Sequence, residues 1–187
     1  MRIIAGIAKG RTLASVEGAV RPTSDRAREA LFSSLLSEFG ELENLNFLDL
    51  FAGSGAVGFE ALSRGASIVH AVEKDESATK TIKTNQELIE KAKPEGKFKL
   101  FAMSAQKFLA TPNLTYDIIF MDPPYEFGDQ GVYELIDLII KNNFSKRGSV
   151  LVIERSSKSP AIKWPAPFRE LRVKEYGVAT LYYGEHE

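Results

Sequence analysis

From residue 46 onward, short apolar runs alternate with amphipathic segments, and no other feature of the sequence constrains the fold as much. The alternation predicts strands at 47–51, 68–72, 97–102, 116–121 and 149–153, and helices at 56–64, 76–91, 104–110 and 130–142. Such a pattern is typical of parallel strands joined by right-handed crossovers, with helices on both faces of the sheet. We therefore expect an α/β protein.

The two ends of the chain depart from this alternation. Two strand-like runs at 168–175 and 178–183 leave no room for a helix between them, which predicts an antiparallel hairpin at the sheet edge. Residues 2–5 and 11–16 predict another β-hairpin, and a helix should follow it as far as Phe39. With 187 residues, we expect one domain over 1–187, with residues 1–20 as a small β-hairpin appendage.

Composition excludes several classes of protein. The chain has no cysteine, which rules out disulfides, thiolate metal sites and cysteine nucleophiles. Its apolar runs are all shorter than the roughly 18 residues of a membrane span, and its N-terminus lacks the apolar core of a signal peptide. We expect a cytoplasmic protein with no metal and no membrane partner.

The formal net charge of −1 conceals an asymmetry along the chain. Residues 1–28 hold six basic and two acidic side chains, which is +4, so the remainder carries −5. A local basic surface favours a polyanionic partner, because each neutralised phosphate releases counterions. A solvated, charged terminus would explain the same pattern. The basic residues are Arg2, Lys9, Arg11, Arg21, Arg26 and Arg28.

A glycine-rich segment follows the first predicted parallel strand. Residues 53–58 read GSGAVG, which is GxGxxG between a strand and a helix. Gly53 and Gly55 permit a tight turn close to a ligand, and Gly58 lets the helix pack on the sheet. Glu73 ends the next strand, where a carboxylate can accept both ribose hydroxyls. The pattern predicts a dinucleotide or S-adenosylmethionine as ligand, with a purely structural turn as the remaining alternative.

Asp49, four residues before Gly53, distinguishes these two ligands. An added anion there would repel the pyrophosphate of a dinucleotide, whereas it would stabilise the sulfonium and ammonium groups of S-adenosylmethionine. This favours the cationic cofactor, although Asp49 could instead cap the turn.

The fourth predicted parallel strand ends in Asp122-Pro123-Pro124-Tyr125. The exocyclic amine of a base is a poor nucleophile because its lone pair is delocalised into the ring. The Asp122 carboxylate and the Pro123 carbonyl can accept its two N–H protons and direct the lone pair at a methyl group. The prolines stiffen the loop, and Tyr125 offers a face on which an extruded base can stack. The alternative is a rigid turn with a surface tyrosine.

With these motifs, the chain resembles the RsmD-type family of bacterial 16S rRNA guanine-N2 methyltransferases over nearly its whole length. The segments that carry the resemblance are Met1 to Gly6 with Lys9-Gly10-Arg11, Arg21 to Arg26 with Arg28-Glu29, Asp49 to Gly55, and Asp122 to Tyr125. The last two segments occur in many amino-methyltransferases. The first two are the family-specific part.

The resemblance implies a Rossmann-like class I methyltransferase fold, with a seven-stranded sheet in the order 3-2-1-4-5-7-6. It implies S-adenosylmethionine as cofactor and rRNA as partner, within a small-subunit particle, for a monomeric enzyme. The residues expected to bind the cofactor are Asp49, Phe51, Ala52, Gly53, Ser54, Gly55, Glu73, Lys74, Thr23 and Arg28, with Ser104 and Ala105 near the adenine. The residues expected to hold RNA are Arg2, Lys9, Arg11, Arg21 and Arg26.

Arg28 is the anomaly in the predicted first helix. It lies on the apolar arc formed by Ala27, Leu31 and Leu35 rather than on the polar side. We expect its side chain either to face the cofactor pocket or to extend along the helix to solvent.

Three other functions compete with RNA guanine methylation. A DNA adenine-N6 methyltransferase shares both motifs, but nothing in these 187 residues resembles a separate domain that reads bases in a duplex groove. A non-catalytic RNA-binding module would have no use for paired acceptors at 122–125. A dinucleotide oxidoreductase would have no role for Asp-Pro-Pro-Tyr.

Overall fold

The computed structural model describes residues 1–16, 25–111 and 114–187, and for Tyr125 its backbone only. The helices are α1 (Asp25–Phe39), α2 (Ala56–Ser63), α3 (Glu76–Glu90), α4 (Ala105–Leu109) and α5 (Gly128–Lys141). The strands are β1 (Asn46–Asp49), β2 (Ile68–Glu73), β3 (Lys97–Ala102), β4 (Tyr116–Met121), β5 (Ser145–Ser156), β6 (Phe168–Tyr176) and β7 (Ala179–His186). The predicted alternation is confirmed. The largest difference is in β5, which extends beyond both ends of the predicted 149–153.

These strands form one sheet in the order β3-β2-β1-β4-β5-β7-β6. Strands β1 to β5 run parallel to one another, whereas β7 runs antiparallel to both β5 and β6. The predicted α/β fold with a terminal antiparallel hairpin is therefore confirmed, as is the strand order that the family resemblance implied.

The central strands are buried on both faces, and β4 shows how. Ile118 and Phe120 pack into a cluster that includes residues of α1, α2 and α3. Ile119 and Met121 pack into a second cluster on the opposite face, with residues of α4 and α5. Two-sided burial explains why the central strands are almost continuously apolar in sequence. Because β1 to β5 are parallel, their carboxyl ends meet at one edge of the sheet.

The N-terminal segment folds back on itself without forming two strands. Arg2 and Thr12 make an isolated antiparallel bridge, and the Ile3 amide donates to the Arg11 carbonyl over 2.9 Å. Further strand pairing is absent in residues 1–16 because the amides of Ile4 and Ala5 donate to the Glu60 carboxylate instead, over 2.8 and 3.0 Å. The predicted β-hairpin is thus reduced to a loop with one bridge.

Residues 1–16 pack against the body of the domain. Ile3, Ala8 and Leu13 are all buried in the cluster that lies on the α2 face of the sheet. The Ala14 amide also donates to Asn85 Oδ1 on α3 over 2.8 Å. The start of the chain is therefore fixed against α2 and α3. None of the helices described is long and apolar enough to cross a bilayer.

Candidate active site

Four carboxylates lie at the carboxyl edge of the parallel strands. Asp49 ends β1, Glu73 ends β2, Asp122 follows β4, and Glu154 lies in the last part of β5. In open α/β sheets, ligands bind beyond this edge, near the point where the strand order reverses. Here the order reverses between β1 and β4, so Asp49 and Asp122 flank the reversal point.

The glycine loop connects β1 to α2 through two left-handed residues. Gly53 has φ 55° and Gly55 has φ 80°, a region that favours glycine. The Gly53 amide donates to Glu73 Oε2 over 2.8 Å, and the Asp75 amide donates to Oε1 over 2.9 Å. These bonds fix the Glu73 carboxylate beside the loop. A side chain at Gly58 would lie 3.2 Å from Val69 on β2, in line with its predicted packing role.

Asp49 lies beneath this loop and is 1% exposed. Neither of its carboxylate oxygens has a hydrogen-bond partner of normal geometry among the described residues. Burial raises the pKa of Asp49 to about 8, and the charges of Asp122 and Glu73 add to the increase. The backbone amides of Phe51 and Gly58 favour the ionised carboxylate and lower the pKa, but they offset only part of this increase. An unsatisfied buried carboxylate of this kind fits a cationic ligand group.

The Asp122 loop turns sharply after β4. Asp122 is half-buried, Pro123 is buried and Pro124 is exposed, and a single 3-10 turn follows over Tyr125–Phe127. The Phe127 amide donates to the Pro124 carbonyl over 2.9 Å, which closes this turn. The loop therefore holds the Asp122 side chain and the Pro123 carbonyl on a short, stiff segment at the sheet edge.

A cavity of about 460 Å³ connects the glycine loop to the Asp122 loop. Its volume is within the range of small-molecule sites, roughly 300–1,000 Å³. The predicted site residues that line it are Phe51, Gly53, Glu73, Lys74, Ser104, Ala105, Asp122, Pro123 and Pro124. Sequence motifs from four strands thus converge on one space.

Other predicted site residues do not line this cavity. Ala52, Ser54 and Gly55 shape the loop, and Asp49 lies below it. Thr23 lies outside the described residues, as does the side chain of Tyr125.

Sequence reasoning missed Phe127, Glu154 and Tyr176, which also line the cavity. Phe127 packs edge-on against Phe51, with ring centroids 5.4 Å apart. Glu154 could have been found, because it follows the buried run 149–153 as Asp122 follows β4. Tyr176 reaches the cavity from the tip of the β6–β7 hairpin, a placement that only the strand order reveals.

Arg28 adopts neither of the two arrangements expected for it. Its side chain is fully buried, so it does not extend to solvent, and it does not line the cavity. Its guanidinium lies 3.0 Å from Asp25 Oδ1 and 3.7 Å from Glu60 Oε2, and it also donates to the Arg2 carbonyl. The reason is the fully buried Glu60 on α2, a partner that helix periodicity cannot reveal.

The basic residues expected to bind RNA do not contribute to the cavity. Arg2, Lys9 and Arg26 are exposed, and Arg11 is half-buried. Arg21 lies outside the described residues. Across the described ranges, no group of three or more histidine or acidic side chains is arranged to hold a metal ion.

Comparison with known proteins places the whole chain in one group. Residues 1–185 match the family described as conserved hypothetical protein 95. The ribosomal RNA small subunit methyltransferase D of Haemophilus influenzae is 33% identical over 183 residues, covering 96% of this chain and 91% of that protein. The Escherichia coli K12 protein of the same name is 32% identical over 178 residues, covering 95% and 85%.

Solved structures agree with this grouping. The Escherichia coli protein yhhF superposes with a TM-score of 0.86 at 30% identity, covering 100% of this chain and 98% of that one. The magnesium protoporphyrin IX methyltransferase of Synechocystis PCC 6803 superposes with a TM-score of 0.67 at 13% identity, covering 97% and 88%. The second match shows a shared fold alone, the Rossmann-like class I methyltransferase fold.

Proposed function

We propose that the protein methylates the N2 amino group of a guanine in small-subunit rRNA, with S-adenosylmethionine as methyl donor. The chain belongs to the conserved hypothetical protein 95 family, which confirms its resemblance to RsmD-type proteins. One observation carries the proposal: the Asp122 loop and the glycine loop above Asp49 face one cavity. The first supplies acceptors for an amine, and the second suits a cationic nucleoside.

The cofactor site is built from residues of β1, β2 and the loop before α4. Glu73 would accept the ribose hydroxyls, and Ser104 and Ala105 would border the adenine. Asp49 would stabilise the positive groups from below, since its oxygens lack partners in the described structure. When bound, S-adenosylmethionine supplies an activated methyl group on a sulfonium.

The Asp122 loop would act by alignment. The Asp122 carboxylate and the Pro123 carbonyl accept the two N–H protons of the amine, so the nitrogen lone pair points into the cavity toward the methyl carbon. The amine nitrogen would accept the methyl group that bound S-adenosylmethionine supplies, and Asp122 would take up the proton that the nitrogen then releases. Positive charge that develops on the nitrogen is thereby placed beside a carboxylate.

The exposed basic residues of the N-terminal segment would hold the RNA. Arg2 and Lys9 lie on a loop that is fixed to α2 through Glu60, so their backbone positions are set before RNA binds. Phosphate contacts of this kind position a substrate without reading its bases. Since rRNA is assembled in the cytoplasm of bacteria, we place the protein there, acting as a monomer and without a metal.

Two relatives named ribosomal RNA small subunit methyltransferase D support rRNA over DNA as the substrate. A DNA adenine-N6 methyltransferase would use the same two loops, and a non-catalytic module would keep the fold without turnover. The experiment below separates all three.

The test is methyl transfer from labelled S-adenosylmethionine to small-subunit particles and naked rRNA from cells that lack the protein. We expect label in N2-methylguanosine, and Asp122→Ala should lower the rate by about 100- to 1,000-fold, as for the loss of one oriented catalytic group. Asp137→Ala removes an exposed carboxylate of α5 and should leave the rate unchanged. Label in N6-methyladenosine, or none at all, would contradict the proposal.

A further inference from the structure

Glu154 lies on β5 next to the point where β4 ends and Asp122 follows. Met121 of β4 and Ile153 of β5 are paired neighbours, so the two acids occupy the next position on adjacent parallel strands. Along each strand, Phe120 and Val152 face the same side of the sheet. Glu154 continues this alternation on β5, and both Asp122 and Glu154 line the same cavity, so the two acids face a common space.

The same acid lines a second, smaller space. The large cavity runs from Gly53 to Glu154, and a cavity of about 30 Å³ continues past Glu154 to Ser156 and Ser159. Asp122 and Glu154 line both cavities, whereas Gly53 and Glu73 line only the first. In the strand order, β5 and therefore Glu154 lie on the side of β4 that is away from β1 and the glycine loop. The proposed cofactor site occupies the β1 and β2 side, which leaves the Glu154 side for the target base.

The atoms next to an exocyclic amine differ among the bases. In guanine, two ring nitrogens flank the carbon that carries the N2 amine: N3 accepts, whereas N1 carries a hydrogen and donates. In adenine and cytosine, the ring nitrogen beside the amine is an acceptor. A carboxylate only accepts hydrogen bonds, so it pairs with guanine N1–H and repels the lone pairs of the other two.

We propose that Glu154 is a specificity-determining residue, which accepts a hydrogen bond from guanine N1–H while Asp122 and the Pro123 carbonyl hold the N2 amine. This inference rests on the proposed function and deepens it, because Asp122 alone would hold the amine of any base. Two acceptors side by side match the row of donors on guanine only. A site built to bond a donor rejects an analogue that lacks it.

The test is a double-mutant cycle between the enzyme and the base. The substrate carries either guanine or 2-aminopurine at the methylated position, introduced by ligation of a synthetic RNA segment. 2-Aminopurine keeps the amine but has no N1–H. For wild type and Glu154→Gln, kcat/KM is measured on both substrates, and binding of S-adenosylmethionine is measured separately to establish that the variant is folded. Glu170→Gln, an exposed acid on β6 that lies outside the cavity, is the matched control.

We expect the wild-type preference for guanine over 2-aminopurine to fall by about 10- to 100-fold in Glu154→Gln, the effect of one charge-assisted hydrogen bond. Glu154→Ala should lower it similarly, and Glu170→Gln should not change it. An unchanged preference in both Glu154 variants, with methylation of guanine intact, would overturn the role of Glu154 alone. If the wild-type enzyme makes no N2-methylguanosine, the proposed function itself fails.

Discussion

Replacement of Asp49 by Asn should stabilise the protein and weaken its function. Burial raises the pKa of Asp49 from 3.8 to about 8, so the folded state prefers the protonated carboxyl. Because the folded-state pKa is the higher one, this site favours folding most strongly below pH 3.8 and loses that contribution as the pH rises toward 8. Asn mimics the protonated carboxyl at every pH, so the variant does not lose stability at this site as the pH rises.

The magnitude follows from the two pKa values. Between pH 3.8 and 8 the wild-type protein loses about 1.4 kcal/mol of stability per pH unit at this site. Relative to wild type, Asp49→Asn should therefore gain less than about 2 kcal/mol at pH 5 and about 4 kcal/mol at pH 7. These are upper values, because water that enters the cavity stabilises the ionised carboxylate.

Urea unfolding at pH 5, 6, 7 and 8 measures this difference directly. The control is Asp137→Asn, an exposed acid on α5, whose stability relative to wild type should not depend on pH. Titration calorimetry should also show that Asp49→Asn binds S-adenosylmethionine about 10- to 100-fold more weakly, because a cationic ligand favours the ionised carboxylate and Asn cannot ionise. A pH-independent difference between wild type and Asp49→Asn would refute the argument from burial.

Further expectations concern the N-terminal segment and the sheet. Glu60→Gln removes the buried one of the two anionic partners of Arg28 and leaves only Asp25, which is exposed. It should cost up to about 3–5 kcal/mol in urea unfolding and speed hydrogen exchange in the N-terminal segment, whereas an unchanged midpoint would show that the Arg28–Glu60 pair is dispensable. Gly6→Ala should destabilise the protein more than Gly10→Ala. Both glycines have positive φ, but only at Gly6 would an added Cβ meet a backbone oxygen, at 1.7 Å. Equal losses of stability in the two variants would contradict this explanation. Burial lowers the pKa of His70 to about 4, so the contribution of His70 to stability should fall as the pH drops from 6.5 to 4, against the opposite trend from Asp49. His70→Gln removes this loss, so its stability relative to wild type should rise over that pH range, and a difference that does not change with pH would exclude the effect.

Most of the fold could be predicted because the local pattern and the tertiary arrangement agree. In the run 116–121, apolar residues occur at both odd and even positions, which predicts a strand buried on two faces. Strand β4 occupies that range. The glycine loop was predictable for the same reason, since the positive φ values of Gly53 and Gly55 need the residue type that the sequence supplies.

What could not be predicted depends on contacts between distant segments. The N-terminal hairpin failed because its amides bond to Glu60, 55 and 56 residues away in sequence. Arg28 seemed anomalous for the same reason, since its buried acidic partner, Glu60, lies on another helix. Tyr176 joins the cavity only because the last hairpin inserts β7 beside β5. In each case the local sequence contains no signal of the partner.

The cavity draws its walls from almost the whole chain, from Ala27 on α1 to Ala179 at the start of β7. During synthesis, a nascent chain can complete this cavity only after the start of β7 has left the ribosome, because Tyr176 and Ala179 of the β6–β7 hairpin form part of its wall. The contacts that close the site are thus among the most distant in sequence, and such contacts form slowly. A truncated product that ends before β7 would keep both motifs and still lack part of the cavity wall.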